Sequence, residues 1–560
     1  MMEAPTVFQR RIVIGAGVCV AAFVLVAIRL VDVTLIKVGG GESVSGPAVI
    51  ARADLTDRNG ELLARDLPVK DLYARPHEFW DKPQAAHDLA AATGADEDRL
   101  LAGFNNARHP YVLIARRITP GAEAKVMHLG LPGLEFEPAS KRYYPDGRIA
   151  AQLLGVTDPD NNGVSGLEMG LQDRLRDAAA RGDGAVATSI DSRVQYILAH
   201  EVAEARKTFS AHAAGGIVMD VKTGEILAMT SQPDFDPNQR KLEDGDSTRN
   251  IIAQDVYELG SIFKIFSFTL AFEDHTLKSL DEVFKIGQGL QIGKYTIHEA
   301  ERMPATLAAR DILAQSSNIG TSQIALRSGG ARQREFLSSL GLLKPLKTVL
   351  PETARPLYPG ANWGMIETAT VSFGHGISVS PLSFVAAAAS VINGGRQITP
   401  TFIRQPAGTD NRSVQVIKPE TSAQMRDLLR YVVTNGTGRK ADIPGYDVGG
   451  KTGSAQVPGP NGHYLAHALR TSFFAAFPVH NPRYVVFVLM DQPHGTKETG
   501  GFALAAYTAV PAAAHVIARI APLLGVPNAP EPAKEAAKPA PVEAGPTQVA
   551  PTQVAYGRSL

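Results

Sequence analysis

The chain has 560 residues, too many for one ordinary domain, so two or more are expected. Its 56 Lys+Arg balance 56 Asp+Glu, and without a basic excess no nucleic-acid partner is expected. Cys19 is the single cysteine, which excludes an intramolecular disulfide, and no His/Cys cluster has metal-ligand spacing; neither a metal nor another cofactor is expected.

Residues 1–11 end in Arg10-Arg11, and an apolar run follows from Ile12 to Ile28, continuing past Arg29 through Leu30 and Val31. With Arg29 snorkelling, residues 12–31 are about the length of one membrane span. The run is longer than a signal-peptide core and no small-x-small site follows it closely, so an uncleaved anchor is expected. Arg10 and Arg11 place the N-terminus in the cytoplasm and everything after Lys37 outside the inner membrane. Cys19 falls inside this run, where packing against lipid is its ordinary role. Gly39-Gly40-Gly41 then breaks the chain.

Residues 45–184 read as a mixed α/β module. Arg52 to Ala64 has the pattern of strand, Asn59-Gly60 turn, strand. Arg142-Tyr143-Tyr144-Pro145-Asp146-Gly147 and Gly163-Val164-Ser165-Gly166-Leu167-Glu168 come later. Nothing here pairs a nucleophile with a base, so a structural or partner-binding role is expected. A second unit, 188–522, opens at Thr188-Ser189-Ile190-Asp191, with a helix from Ser192 to about Thr208. Gly216–Val221 and Glu225–Met229 flank Lys222-Thr223-Gly224 as a hairpin, and a Pro-containing loop, Ser231–Asn238, follows.

Tyr257-Glu258-Leu259-Gly260-Ser261-Ile262-Phe263-Lys264 then leads into the apolar run Ile265 to Phe272. The run reads as a buried helix, with Gly260 closing the turn before it. Positions i and i+3 share a helix face, which puts the Lys264 amine above Ser261 at the helix N-terminus. A serine hydroxyl is a weak nucleophile unless a neighbour takes its proton, and a lysine with a lowered pKa can do so. Leu307 to Leu326 is a second helical stretch, interrupted at Ser316-Ser317-Asn318. Lys451-Thr452-Gly453-Ser454, Arg470–Phe477 and Tyr484–Met490 are strand-like and separated by turn signals, which predicts three consecutive antiparallel strands. A final helix is expected from about Phe502 to Ile520. Residues 527–560 are Ala/Pro-rich, with a tandem Pro-Thr-Gln-Val-Ala at Pro546 and Pro551, and read as disordered.

Ser-x-x-Lys, Ser-x-Asn and Lys-Thr-Gly in that order are the signature of penicillin-binding proteins and serine β-lactamases. From the anchor to about Ile520 the chain resembles the class B penicillin-binding proteins, membrane-anchored peptidoglycan D,D-transpeptidases. Their pedestal signature Arg-Gly-x-Ile-x-Asp-Arg-Asn-Gly is similar to Arg52–Gly60, with Ala53 for Gly and Leu55 for Ile; Arg142–Gly147 and Gly166-Leu167-Glu168 match further pedestal motifs. Their Glu-Pro-Gly-Ser-Thr is here Glu258-Leu259-Gly260-Ser261-Ile262, and Lys-Thr-Gly-Thr ends in Ser454. The Ser316-Ser317-Asn318 form, the compact pedestal and the lack of an appended module after Ile520 suit the division-specific branch.

The resemblance implies an α+β chain. Its parts are a transmembrane helix, an elongated mixed α/β pedestal, a transpeptidase domain built on an antiparallel sheet with flanking helices and an all-helical subdomain, and a disordered tail. It implies that Ser261 attacks the penultimate D-Ala carbonyl of a stem peptide, with Lys264 as base. The nearby Lys451 cation would lower the Lys264 pKa. Ser316 relays a proton to the leaving amine, and Asn318 holds Lys264 and the substrate amide. Lys451, Thr452 and Ser454 take the terminal carboxylate, the N–H groups of Ser261 and Ser454 form the oxyanion hole, and Gly450 and Gly453 let backbone and substrate come close. His375 is expected to be structural and Glu258 to stabilise a loop. The implied partners are D-Ala-D-Ala stem peptides, β-lactams, a single span of inner membrane, a polymerising glycosyltransferase and other divisome membrane proteins at the septum. The alternatives are an elongation-specific transpeptidase, a β-lactamase-like hydrolase and an inert divisome scaffold.

Overall fold

The computed structural model describes residues 17, 20–27, 51–239, 245–459, 461 and 463–528. Of the expected anchor, residues 17 and 20–27 are helical and the remainder lies outside the described residues, as do the N-terminal residues 1–11 and positions 529–560 of the expected tail. No helix among the described residues is long and apolar enough to cross a membrane. Past residue 50 the chain divides into two compact units, Pro68–Lys141 and Ala51–Leu67 together with Arg142 onward.

In the first unit, the second half of strand Leu62–Ala74 pairs antiparallel with Val112–Ile118, Leu72 facing Ala115 and Ala74 facing Val112. Three helices, Lys82–Thr93, Glu97–Phe104 and Pro120–His128, start at side-chain caps: Asp81 accepts from Gln84 N, Asp96 from Arg99 N and Thr119 from Ala122 N. Leu72, Leu89, Leu100, Phe104, Ile114 and Val126 form their common core.

In the second unit, strand Asp54–Thr56 pairs antiparallel with the start of Leu62–Ala74 and parallel with Ala185–Ala187. The residues around it are held by a buried ion network. Arg52 donates to Glu168 from Nε (3.1 Å) and Nη2 (2.7 Å), and Arg142 Nε donates to the same carboxylate at 2.7 Å. Arg142 Nη1 also reaches Asp66 at 3.0 Å. Asp57 accepts from the backbone N–H groups of Asn59 (2.6 Å), Glu61 (2.9 Å) and Ser192 (3.1 Å), so one buried carboxylate shapes the Asn-Gly turn and ties it to the helix Ser192–Thr208.

The main sheet has five strands in the order Gly449–Pro458, Tyr464–Phe477, Tyr484–Asp491, Ala213–Asp220, Ile226–Gln232, all neighbours antiparallel. The pleat sends alternate side chains to opposite faces, and both faces are covered. Phe473, Ala475, Phe477, Val486 and Val488 pack with helices Ser192–Thr208 and Ala509–Leu523. Phe474, Ala476, Val485, Phe487 and Leu489 pack with helices Lys264–Glu273 and Pro381–Ile392. Phe384 is the hub of that second face, with ring centroids 5.5–5.9 Å from Phe263, Phe266, Phe474 and Phe487.

Three expectations are corrected. The stretch opened by Ser261 is a 3-10 turn, Gly260–Phe263, and the α-helix begins at Lys264 and runs to Glu273. The final helix spans Ala509–Leu523, starting later than Phe502. Pro511 lies in its first turn, where a missing N–H costs nothing, and Thr508 Oγ1 ahead of it bonds Leu504 O and Thr471 Oγ1. The expected all-helical subdomain carries strands among its helices: Leu290–Ile292 pairs with Tyr295–Ile297, and Val283–Lys285 with Thr306–Ala308. Gly293 occupies the first position of that two-residue hairpin turn with φ 58°, a conformation glycine adopts without a steric penalty.

Candidate active site

Four segments of the second unit converge. The first is the nucleophile turn. Tyr257 and Val379 exchange both backbone hydrogen bonds (3.0 and 3.1 Å), and Gly260 then takes φ 60°. Its neighbours leave no room for a side chain: a Cβ at Gly260 would lie 2.9 Å from Ser454 O. A Cβ at Gly374, itself at φ 81°, would lie 2.3 Å from Gly260 O. The turn therefore presents Ser261 half-exposed, and residues Lys264 to Phe272 behind it are all buried.

The second segment is the junction between helices Ala309–Ala314 and Asn318–Ser328. Ser316 sits in the left-handed region at φ 66°, an uncommon state for a residue with a Cβ. Ser317 is the cap of the second helix, its Oγ accepting from Gly320 N at 2.9 Å. The break aims Ser316 and Asn318 at Lys264. The third segment is the edge strand Gly449–Pro458, which carries Lys451, Thr452 and Ser454. The fourth is Glu299, two residues past the hairpin strand Tyr295–Ile297.

Lys264 Nζ lies 2.9 Å from Ser261 Oγ, 2.5 Å from Ser316 O, 3.1 Å from Ser316 Oγ and 2.8 Å from Asn318 Oδ1. Lys451 Nζ donates to Ser316 Oγ (3.0 Å), Thr452 O (3.0 Å) and Thr452 Oγ1 (3.3 Å). Ser316 Oγ thus bridges the two amines. Both lysines are fully buried while Ser261, Ser316, Asn318 and Ser454 are partly exposed, so the hydroxyls face the solvent side and the amines lie beneath. Burial, and not the expected Lys451 cation, pushes the Lys264 amine down to about 7, against the pull of the Glu299 carboxylate. Burial also holds Lys451 well below the ordinary lysine range, and the Lys264 charge adds to the effect.

The structure brings Ser261, Lys264, Ser316, Asn318, Lys451 and Thr452 into one hydrogen-bonded cluster. Ser454 stands on the same strand, its Oγ accepting from Ala505 N at 3.2 Å. The space that Gly450 and Gly453 leave is filled by the protein itself. A Cβ at Gly453 would meet Ser472 Oγ at 2.5 Å and Leu259 O at 2.6 Å, and one at Gly450 the Phe473 ring at 2.5 Å. These glycines let the strand lie against the nucleophile turn and its neighbouring strand. Glu258 accepts from Gly376 N (2.8 Å) and Tyr464 OH (2.8 Å), the bonding of a carboxylate that fixes loops. His375 Nδ1 lies 3.1 Å from Tyr464 OH; burial and the Lys264 amine hold it below the ordinary histidine range, with Glu258 opposing.

Three contributors carry no motif and escaped the sequence reading. Glu299 accepts from Ser317 Oγ through a short hydrogen bond, from Asn318 N at 2.7 Å and from Ile319 N at 3.1 Å. Thr437 Oγ1 lies 2.6 Å from Thr452 Oγ1. Tyr464 links Glu258 to His375. Each is a single polar residue distant in sequence from what it touches, and no local pattern marks it.

A hydroxyl on a tight turn, a buried amine three residues on, a second buried amine on an edge strand and a Ser-x-Asn between them define a serine acyl transferase of the Ser-x-x-Lys kind. The chain belongs to the penicillin-binding proteins. Residues 214–511 match the penicillin binding protein transpeptidase domain, and residues 47–180 match the penicillin-binding protein dimerisation domain. It is 38% identical over 500 residues to the probable peptidoglycan D,D-transpeptidase FtsI of Caulobacter vibrioides, covering 87% of this chain and 83% of that one. It is 29% identical over 481 residues to peptidoglycan D,D-transpeptidase FtsI of Escherichia coli, covering 80% and 81%. Among solved structures it resembles penicillin binding protein 3 from Mycobacterium tuberculosis complexed with ampicillin, with a TM-score of 0.67, 25% identity, and coverage of 86% of this chain and 97% of that one.

Proposed function

We propose that this chain is a peptidoglycan D,D-transpeptidase that crosslinks stem peptides of the septal wall through a serine acyl-enzyme at Ser261, and that β-lactams acylate the same serine. One observation carries the reading: the Lys264 amine lies 2.9 Å from the Ser261 hydroxyl while Ser316 O and Asn318 Oδ1, which only accept, lie at 2.5 and 2.8 Å. A neutral amine has two N–H donors and one lone pair. Those two acceptors take both donors, and the lone pair faces the two hydroxyls, Ser261 Oγ at 2.9 Å and Ser316 Oγ at 3.1 Å, of which Ser261 is the nearer. Lys451 donates to Ser316 Oγ, Thr452 O and Thr452 Oγ1, so the second buried amine meets Lys264 through the shared Ser316 hydroxyl.

Ser261 Oγ attacks the carbonyl of the penultimate D-Ala and its proton passes to Lys264. The C–N bond to the terminal D-Ala then breaks, and Ser316 returns the proton from the lysine pair to the departing amine. The amine of a neighbouring stem peptide attacks the ester carbonyl, gives up its proton, and regenerates Ser261. Lys451, Thr452 and Ser454 bind the terminal carboxylate. Asn318 orients Lys264 and the substrate amide. The N–H groups of Ser261 and Ser454 hold the oxyanion, where preorganised donors are most effective. Gly453 shapes the carboxylate subsite through the close approach of its strand to Leu259.

Residues 12–31 anchor the chain in the inner membrane with the N-terminus cytoplasmic, residues 45–184 form the pedestal and 188–522 the transpeptidase domain. The septal assignment draws on the FtsI relatives, and the partners are a polymerising glycosyltransferase and other divisome membrane proteins. Full-length protein in detergent, given glycan polymerised from a lipid-linked pentapeptide precursor, is expected to form crosslinked muropeptides visible by mass spectrometry. Ser261→Ala abolishes them. Hydrolysed tetrapeptide as the dominant product would contradict a transpeptidase. For the anchor, alkaline phosphatase fused after Asn528 is active if residues 12–31 export the body and inactive if they do not. Depletion is expected to give filaments with midcell label; rounded cells would contradict a division role.

A further inference from the structure

Ser316 and Asn318 supply Lys264 with its acceptors, and the turn that carries them is tied back to the preceding helix by Ser317 N, which donates to Ile312 O at 2.9 Å. Its first residue is in the left-handed region, where a non-glycine side chain is strained. Its backbone leaves the helix Ala309–Ala314 and restarts at Asn318, so the first N–H groups of the new helix have no partner within it. Ser317 Oγ satisfies one, Gly320 N. Glu299 satisfies two more, Asn318 N at 2.7 Å and Ile319 N at 3.1 Å, and also accepts from Ser317 Oγ, the capping hydroxyl itself. One carboxylate therefore fixes the cap, the first helical residue and the second, and the first of these helical residues is Asn318, whose Oδ1 lies 2.8 Å from the Lys264 amine.

We propose that Glu299 is a positioning residue for acyl transfer, its carboxylate clamping the Ser316–Asn318 turn so that Ser316 O and Asn318 Oδ1 meet the Lys264 amine. The Ser317 hydroxyl that caps Gly320 donates to Glu299, so the helix cap and the carboxylate act as one arrangement. The carboxylate also acts on Lys264 through its charge, favouring the protonated amine against burial. The other ionisable groups facing Lys264 among the described residues are Lys451 on the edge strand and His375 with Glu258 behind it.

The inference rests on the assignment of Ser261 and Lys264 above, and acylation of the unaltered chain at Ser261 with an acidic limb near pH 7 establishes that assignment whatever Glu299 does. The test is the acylation of full-length protein in detergent by a fluorescent penicillin, with binding and acylation constants separated, from pH 5 to 9. Glu299→Gln keeps the shape but turns an amide NH2 toward backbone donors and removes the charge. The acylation step is expected to slow by about tenfold, the scale of a lost charge-assisted hydrogen bond, with initial binding nearly unchanged. The acidic limb of the profile moves to lower pH, because losing a nearby anion disfavours the protonated amine. A folded Glu299→Gln protein with the wild-type acylation rate overturns the proposal. So does a slower protein whose limb stays where it was, since a merely structural role would do that. If Glu299→Gln does not fold, Glu299→Asp decides: it keeps the charge but withdraws it from the turn, so acylation slows with the limb in place, and a wild-type rate refutes the clamp.

Discussion

Acylation of Ser261 should depend on pH in a way set by Lys264. Only the neutral amine can take the serine proton, and burial brings its pKa down to about 7, against about 10.4 for a free lysine. The acylation rate is therefore expected to fall as pH falls through about 7. At pH 8 roughly nine-tenths of the amine is neutral and at pH 5 about one-hundredth, so the rate should drop by roughly a hundredfold between them. The measurement is stopped-flow fluorescence with a fluorescent penicillin on full-length protein in detergent, with the thermal midpoint recorded at each pH to exclude unfolding. A rate unchanged down to pH 5 would mean that Lys264 is not the proton acceptor. A limb centred near pH 10 would mean that its burial is not felt, and the packing argument around the amine would fail with it.

Two further perturbations test parts of the account that the catalytic motifs do not cover. Glu168→Ala leaves the buried guanidiniums of Arg52 and Arg142 without the carboxylate they share; the loss is expected to be about 3–5 kcal/mol, read as an earlier guanidinium unfolding midpoint, and a loss under about 1 kcal/mol would show that the network is dispensable. Thr437→Val removes the hydroxyl 2.6 Å from Thr452 Oγ1; if Thr452 binds the carboxylate as proposed, initial binding of penicillin is expected to weaken about three- to tenfold while the acylation step holds, and unaltered binding would show that Thr437 does not support Thr452 in that role.

The sequence made the site legible where chemistry is compressed into adjacent residues. Ser261 and Lys264 are one helical turn apart, Ser316 and Asn318 are two residues apart, and Lys451 to Ser454 are continuous; the structure gathers the three motifs within hydrogen-bond reach. The sheet was legible for a related reason: the runs around Phe474 and Phe487 are strongly apolar and bounded by Pro/Gly turns. What was hidden depends on long-range packing. Glu299 is one acid among 56 Asp+Glu, and only the fold carries it to Ser317. Gly453 carries a motif, but its closeness is to Leu259 and Ser472, which no motif discloses. The 3-10 turn at Ser261 follows from Gly260 being wedged between Ser454 and Gly374, both far along the chain, so local periodicity read it as helix. The short hairpin Leu290–Ile297 has strands of three residues, too few for an alternating pattern to stand out.

The central claim is that Ser261 is the acylated nucleophile. Full-length protein incubated with benzylpenicillin, digested and analysed by mass spectrometry should carry one penicilloyl group, on the peptide containing Ser261, with a lifetime long against the acylation step. Ser261→Ala should carry none. An adduct on any other residue, or one that persists in Ser261→Ala, would contradict the account.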